Sequence, residues 1–297
     1  MARAAIDVGS NTLLLVVLGD DGWILADEAR IVGLGRGLGD GGLFAPDRMA
    51  AGEAALSEFV RIAADHGVPA WQIRAVATSG ARRALNAETW FHRLNRKIGL
   101  RIETISGDEE ARLTFLGARA GLTLPDGPIL FIDLGGGSTE LVIATGDHID
   151  ARVSLEIGSV RLTERWLGLE RHDAAGLAHL RNHVDTVIHG FPFRPSPVAA
   201  VGIAGTVTTL AASALELTAW DAARVHGSTL DRASLLRTVD QLLPLDAASR
   251  RSAVPVSPER AEFLVAGATV LERVLSAAGL ASMSVTTGGL RLGLLAD

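Results

Sequence analysis

The sequence predicts two α/β domains of related design joined in tandem. Three observations carry this. The motif Ile6-Asp7-Val8-Gly9-Ser10-Asn11-Thr12 recurs about one domain-length later as Ile132-Asp133-Leu134-Gly135-Gly136-Gly137-Ser138-Thr139. Apolar runs of strand length alternate with segments of helical spacing through both halves. The 297 residues, 48% of them apolar, suffice for two cores of ordinary size.

In each copy an apolar run leads to an Asp, a turn rich in glycine and hydroxyls follows, and a second apolar run returns. This predicts a β-hairpin with an acidic residue at its mouth. The glycines let backbone N–H groups face an anion, so the two copies predict domains facing each other across a phosphate-binding cleft. Residues 23–31 read as a third strand, followed by the glycine-rich stretch 33–42. Within it, Gly37-Leu38-Gly39-Asp40-Gly41-Gly42 matches G-x-G-x-x-G in form only, because no strand–turn–helix unit surrounds it. A mobile surface loop is the expectation there. Residues 46–67 carry helical spacing at Met49, Leu56, Val60 and Ile62, and Gly67 suits the helix end.

Residues 73–78 form a short strand running into Ser79-Gly80-Ala81-Arg82-Arg83, the start of a helical segment that Asn86 punctuates. Residues 102–105 form another strand, and Ser106-Gly107-Asp108-Glu109-Glu110-Ala111-Arg112 opens the next helix. Leu124-Pro125-Asp126-Gly127-Pro128 breaks that helix. The boundary is placed there, giving domains at residues 1–124 and 125–288. The second half repeats the plan: its hairpin, a strand at 151–155, helices at 160–167 and 173–188, and a proline-rich loop at 191–197. Residues 198–210 read as strand, Gly/Thr turn and helix. A helical stretch at 260–278, a strand at 282–286 and a short terminal helix close the chain.

Composition excludes several classes. No apolar run approaches the ~20 residues of a membrane span. The amino terminus reaches Asp7 before a signal-peptide core can form, so a cytoplasmic location is expected. With no cysteine there is no disulfide framework, thiolate metal site or cysteine nucleophile. A net charge of −6 argues against nucleic acid but leaves room for a small polyanion held by a few arginines. Lys97 is the only lysine, which rules out a Gly-Lys-Ser/Thr P-loop. No Gly-x-Ser-x-Gly elbow supports a serine hydrolase. The histidine pair His179 and His183 lacks the carboxylate of a zinc protease.

The phosphate reading rests on three turns. Gly9, Ser10, Asn11 and Thr12, and Gly135, Gly136, Gly137, Ser138 and Thr139, offer backbone N–H and hydroxyl donors. Gly205 and Thr206 at a helix start add a third such turn. Asp7 and Asp133 end buried strands, where a carboxylate needs a partner. The hairpin backbone supplies one reading and Mg²⁺ the other, with Glu140 as the further ligand or water-orienting carboxylate. Ser106 and Glu109 have capping-box spacing, which gives Glu109 a structural task and leaves Glu110 in the first helical turn.

These landmarks resemble the exopolyphosphatase/guanosine pentaphosphate phosphohydrolase family, a branch of the acetate-kinase/sugar-kinase/Hsp70/actin superfamily. Asp7 to Thr12, Thr78-Ser79-Gly80-Ala81-Arg82, the segment 106–112, Asp133 to Glu140, Gly158-Ser159-Val160-Arg161-Leu162-Thr163, the segment 202–210, Val225-His226-Gly227 and Glu259-Arg260-Ala261 occur in family order. The resemblance implies two actin-like (ribonuclease H-like) α/β domains, mixed sheets flanked by helices, with the active site in the interdomain cleft. It implies that residues 289–297 pack back on the first domain. It also implies a homodimer and domain closure around substrate. The resemblance is to the short, two-domain form, so the further helical domains of longer members are not expected.

The family's catalytic glutamate directly precedes Ala-Arg, the position of Glu110. The helix dipole at this first turn favours the ionised carboxylate, which can take a proton from water. Arg82 matches the family's arginine, whose planar fork grips phosphate oxygens in pairs; Arg83 beside it is read as a helix-surface residue. Arg36 and Arg112 read as solvated surface, and His226 as a structural turn histidine. The leading expectation is a Mg²⁺-dependent exopolyphosphatase that removes the terminal phosphate of inorganic polyphosphate by direct attack of water. The alternative keeps the residues and changes the substrate to guanosine pentaphosphate (pppGpp). More distant readings are a nucleotide-dependent switch of the actin/Hsp70 type, and a kinase.

Overall fold

A computed structural model describes residues 1–38, 42–119 and 121–296. It divides into two compact units, Met1–Gly117 with Leu290–Asp297, and Ala118–Gly289. The division falls at the end of a helix, seven residues before the Pro-Gly break where the sequence places it. The cause is local: Arg119 pairs with Asp147, and Gly121 O lies 3.3 Å from His226 Nε2, so Arg119 and Gly121 are tied to residues of the second unit.

Unit 1 runs β1 (Arg3–Val8), β2 (Thr12–Leu18), β3 (Ile24–Ile31), α1 (Pro46–Asp65), β4 (Arg74–Ala77), α2 (Ser79–Arg83), α3 (Ala87–Ile98), β5 (Ile102–Thr104) and α4 (Gly107–Ala118). Its described residues form a five-stranded mixed sheet of order β3-β2-β1-β4-β5. The period-2 alternation of β1 sorts the layers. Ala4, Ile6 and Val8 face a core with Leu56 and Phe59 of α1 and Trp90 and Phe91 of α3. Ala5 faces the opposite cluster with Leu113 of α4, so Asp7 shares the α4 side of the sheet.

Helix ends follow the local chemistry. Pro46 stands in the first turn of α1, where its missing N–H costs nothing. At the other end Gly67, at φ +81°, lets Val68 N–H reach Ala63 O and Gly67 N–H reach Ala64 O. Asn86 separates α2 from α3, and its amide exchanges hydrogen bonds with the Phe44 backbone.

Unit 2 runs β6 (Pro128–Leu134), β7 (Thr139–Thr145), β8 (His148–Leu155), α5 (Ser159–Leu162), a π turn (Thr163–Leu167), α6 (Ala174–Ile188), β9 (Ala199–Ile203) and α7 (Ala204–Ala214). It continues through α8 (Ala222–Val225), β10 (Thr229–Asp231), α9 (Arg232–Leu242), α10 (Ala247–Ala253), a 3₁₀ turn (Pro258–Phe263), α11 (Leu264–Ala277) and β11 (Ser282–Val285). The six-stranded mixed sheet has the order β10-β11-β9-β6-β7-β8. The apolar helix α11, buried along most of its length, joins Leu130, Ile132, Leu141 and Ile143 in the main core.

The last helix, α12 (Leu290–Ala296), belongs to unit 1. Arg3 Nη1 caps Leu295 O at 2.6 Å and Arg74 caps Leu294 O, satisfying carbonyls that the helix leaves without partners. Gly293 crosses α4 so closely that an added Cβ would stand 1.8 Å from Leu113 O.

Both units are therefore sheets flanked by helices, as the sequence predicts. Two departures are local. The helix expected at 160–167 becomes a π turn after Leu162. Thr163 Oγ1 donates back to Ser159 O at 2.8 Å, and Gly168 N–H donates to Thr163 O at 2.8 Å. The stretch expected to be helical from Arg260 begins instead as a 3₁₀ turn. No described helix is long and apolar enough to cross a membrane.

Candidate active site

The two hairpin turns are built alike. Gly9 N–H closes onto Thr12 O at 3.2 Å, and Gly135 N–H onto Ser138 O at 3.0 Å. In both, the segment after the third strand ties down the turn's carbonyls. Gly35 N–H donates to Ser10 O, and Val32 and Gly33 N–H donate to Asn11 O. In unit 2, Ser159 N–H donates to Gly135 O, and Val160 and Arg161 N–H donate to Gly136 O. Arg161 Nε adds a bond of 2.9 Å to Gly137 O.

A trans peptide points its C=O and the following N–H in opposite directions. With the carbonyls of residues 135, 136 and 137 fixed on one side, the N–H groups of Gly136, Gly137 and Ser138 point to the other. Those three donate to nothing among the described residues. Successive unused N–H donors form an anion-binding concavity. Gly158 must be glycine for this packing, since a Cβ there would lie 2.3 Å from Gly136 C and O. Ser138 and Thr139 are buried, and Thr139 Oγ1 donates to Ile157 O at 2.7 Å, which leaves it a strut of the turn.

In unit 1 the first turn meets the start of α2. A Cβ on Gly80 would stand 3.0 Å from Ser10 Oγ, so the two segments pack closely here and a larger residue would have to push the serine aside. Arg82, three residues after Ser79, reaches α4: its Nη1 donates to Glu110 Oε2 at 2.7 Å and to Ile105 O at 3.1 Å. Glu110 is 7% exposed. Among the described residues, Arg82 Nη2 and the hydroxyl of Ser79 are buried without a hydrogen-bond partner. A buried guanidinium nitrogen left over in this way suits an oxyanion ligand.

The Glu109/Glu110 distinction takes physical form. Ser106 Oγ accepts from Glu109 N–H at 3.2 Å, the first half of the capping box. The Glu109 carboxylate grips Arg112 Nε and Nη2 at 2.9 and 2.8 Å, which also gives Arg112 a structural task. Glu110, about a third of a turn on, meets Arg82.

Asp133 and Glu140 are brought together. They stand directly opposite in the β6–β7 register, on the sheet face away from the main core. Glu140 is 2% exposed and its Oε1 accepts from Ser154 Oγ at 2.6 Å. Like charges at opposed positions repel unless a cation joins them, and two carboxylates are what Mg²⁺ takes from a protein beside a phosphate. The donor chemistry fits that ion. At the position equivalent to Glu140 the first hairpin carries Leu14, opposite Asp7, so the carboxylate pair exists only in unit 2. Asp7 lies in unit 1, at the end of β1; among the described residues no group of three metal-ligating side chains is found.

Gly205 and Thr206 lie in the first turn of α7, whose N-cap Ile203 offers no side-chain acceptor. Ala204 is held at φ +78°, a left-handed conformation that sharpens the strand-to-helix turn. Thr206 Oγ1 lies 3.2 Å from Ser159 Oγ, which links this turn to the segment behind the 135–139 loop. The guanidinium of Arg260 lies so close over Gly205 that a Cβ there would stand 2.3 Å from its Nη1. Burial pushes the Arg260 guanidinium pKa down. The His226 ring bridges Gly121 O and the Thr287 backbone N–H. His179 stacks on Trp166 with ring centroids 5.6 Å apart, and His183 tilts against the same ring at 5.9 Å. Gly39, Asp40 and Gly41 of the G-x-G-x-x-G match lie outside the described residues.

Sequence reasoning assigned no role to Ser79, Ser154, Gly158, Ser159 or Arg161. One signal was available for Gly158. It follows the third strand of its copy as Gly33 follows β3, so the repeat extends past the hairpin.

The chain is 36% identical over 289 residues to "Exopolyphosphatase 2" of Mycobacterium tuberculosis, covering 91% of this chain and 89% of that one. Its fold is similar to the crystal structure of an exopolyphosphatase-like protein, with TM-score 0.93, 31% identity and coverage of 100% and 98%. The Ppx-GppA enzyme of Aquifex aeolicus matches with TM-score 0.83, 29% identity and coverage of 99% and 98%. The model of the Ppx/GppA phosphatase family matches residues 16–297, and the chain belongs to that family.

Proposed function

We propose that the protein is an exopolyphosphatase, which hydrolyses the terminal phosphoanhydride of inorganic polyphosphate and releases orthophosphate. The observation that carries this reading is the Arg82–Glu110 pair, with a buried guanidinium nitrogen to spare. The named exopolyphosphatase relatives support the same substrate class.

In this reading Glu110 accepts a proton from water as its oxygen attacks the terminal phosphorus. The bridging P–O bond breaks, and the shortened polyphosphate leaves on its own oxygen. Arg82 holds equatorial oxygens of the transferred group through Nη2 while Nη1 keeps Glu110 in place. The N–H groups of residues 136–138 hold phosphate oxygens, with Gly9, Ser10, Asn11 and Thr12 doing the same in unit 1 and Gly205 and Thr206 at α7. Asp133 and Glu140 would hold Mg²⁺, which neutralises phosphate charge when bound.

The test is orthophosphate release with Mg²⁺ from short-chain polyphosphate, long-chain polyphosphate and guanosine pentaphosphate. Preferred hydrolysis of polyphosphate supports the reading. Preferred hydrolysis of guanosine pentaphosphate keeps the residues and replaces the substrate. Release from none of them refutes it.

A further inference from the structure

The two hairpin turns share one design but solve one position differently. Aligned on Gly9 and Gly135, the third carbonyl of each turn belongs to Asn11 and Gly137. Asn11 O accepts from the backbone N–H groups of Val32 and Gly33, at 3.0 and 2.9 Å. Neither of the two corresponding backbone donors in unit 2 reaches Gly137 O among the described residues: Ile157 N–H turns back onto Leu155 O at 2.8 Å, and Gly158 N–H makes no bond to it. The place is taken by a side chain, Arg161, whose Nε donates to Gly137 O at 2.9 Å.

The Arg161 side chain is itself fixed. Its Nη2 pairs with Glu156, and its own N–H donates to Gly136 O at 3.1 Å as part of α5. Its side chain is only 17% exposed. The Gly-Gly-Gly turn is the most pliable segment of the second hairpin, because three successive glycines resist no peptide rotation. Releasing Gly137 O frees the 137–138 peptide to turn, and the Ser138 N–H turns with it.

We infer that Arg161 is a positioning residue. Its Nε–H, through the Gly137 carbonyl, holds the Ser138 N–H toward the anion, and it does so as a hydrogen-bond donor rather than as a charge on the substrate. The inference rests on the phosphate-binding reading of the 135–139 turn.

Two substitutions separate the donor from the charge. In Arg161→Gln the amide nitrogen occupies the chain position of Arg Nε, so a donor remains and the charge is gone. In Arg161→Met a similar length remains and both are gone. Binding of tripolyphosphate is measured by calorimetry in the Glu110→Gln background, which prevents turnover, and KM and kcat for polyphosphate are measured with Glu110 intact.

Arg161→Met is expected to bind tripolyphosphate about 10-fold more weakly, with KM raised more than kcat is lowered, and Arg161→Gln to stay within about 3-fold of the parent. A Gln variant as weak as the Met variant overturns the inference, because charge would then be the working feature. A Met variant as tight as the parent overturns it too. Should Arg161→Met fail to fold, the Gln variant decides alone: affinity kept supports the inference and affinity lost overturns it. Binding of tripolyphosphate without any phosphate release leaves the inference standing while the hydrolase reading fails. Absence of binding by the parent overturns both.

Discussion

Arg82 Nη1 lies 2.7 Å from Glu110 Oε2, which joins the helix after β4 to the first turn of α4. The pair is largely buried, so deleting the arginine outright would remove the cation held beside Glu110 as well as the guanidinium fork. The informative change is Arg82→Lys, which keeps a cation beside Glu110 and loses the planar fork. It is expected to lower kcat/KM for polyphosphate about 100-fold, against less than about 3-fold for Arg83→Lys. Steady-state kinetics on the two variants checks this; equal losses would refute the distinction.

The Asp133–Glu140 pairing predicts a metal phenotype. Asp133→Asn and Glu140→Gln each remove one of two opposed carboxylates. The Mg²⁺ concentration for half-maximal activity should rise about 10-fold or more in each. Ser154→Ala, which deletes the hydroxyl that donates to Glu140 Oε1, should raise it by a smaller factor. Magnesium titrations of activity read all three, and unchanged Mg²⁺ curves would remove the pair from metal binding.

The repeated hairpins were legible because their signal is local: a strand-ending Asp, then glycines and hydroxyls at fixed spacing. The choice between Glu109 and Glu110 was legible for a similar reason, since capping geometry depends on four neighbouring residues. The partners of those residues were not. Arg161 reaches Gly137 across 24 residues and Ser154 reaches Glu140 across 14, and only the β-register decides such meetings. The segment between Leu210 and Arg260 was read for little beyond Val225-His226-Gly227. It folds into α8, β10, α9 and α10; α8, β10 and α10 are too short for periodicity to separate from loop, whereas α9 buries Leu235, Val239 and Leu242 at helical spacing.

Close packing of α12 predicts a stability effect remote from the site. Gly293→Ala places a Cβ on the Leu113 carbonyl, which as backbone cannot move aside cheaply. Thermal or denaturant unfolding should show a loss of about 2–3 kcal/mol. A neutral substitution would mean that α12 does not cross α4 this closely.

His172 predicts a pH dependence of stability. Burial, and then the neighbouring Arg250 cation, push its pKa from 6.5 to about 4. The unfolded chain therefore binds more protons than the folded chain between those values. Stability from this group is whole above pH 6.5 and is lost as pH falls toward 4. Melting curves across that window should show the decline, and His172→Gln should flatten it; an unchanged slope in the variant would place the titration elsewhere.

The most direct test of the account is the turnover number of Glu110→Gln on polyphosphate with saturating Mg²⁺, beside a melting curve confirming its fold. Gln keeps the size and an acceptor for Arg82 but cannot take a proton from water. The account predicts a fall in kcat of about 1000-fold with KM changed only a few-fold. Turnover near that of the unaltered protein would contradict it and leave the Arg82–Glu110 pair a structural contact.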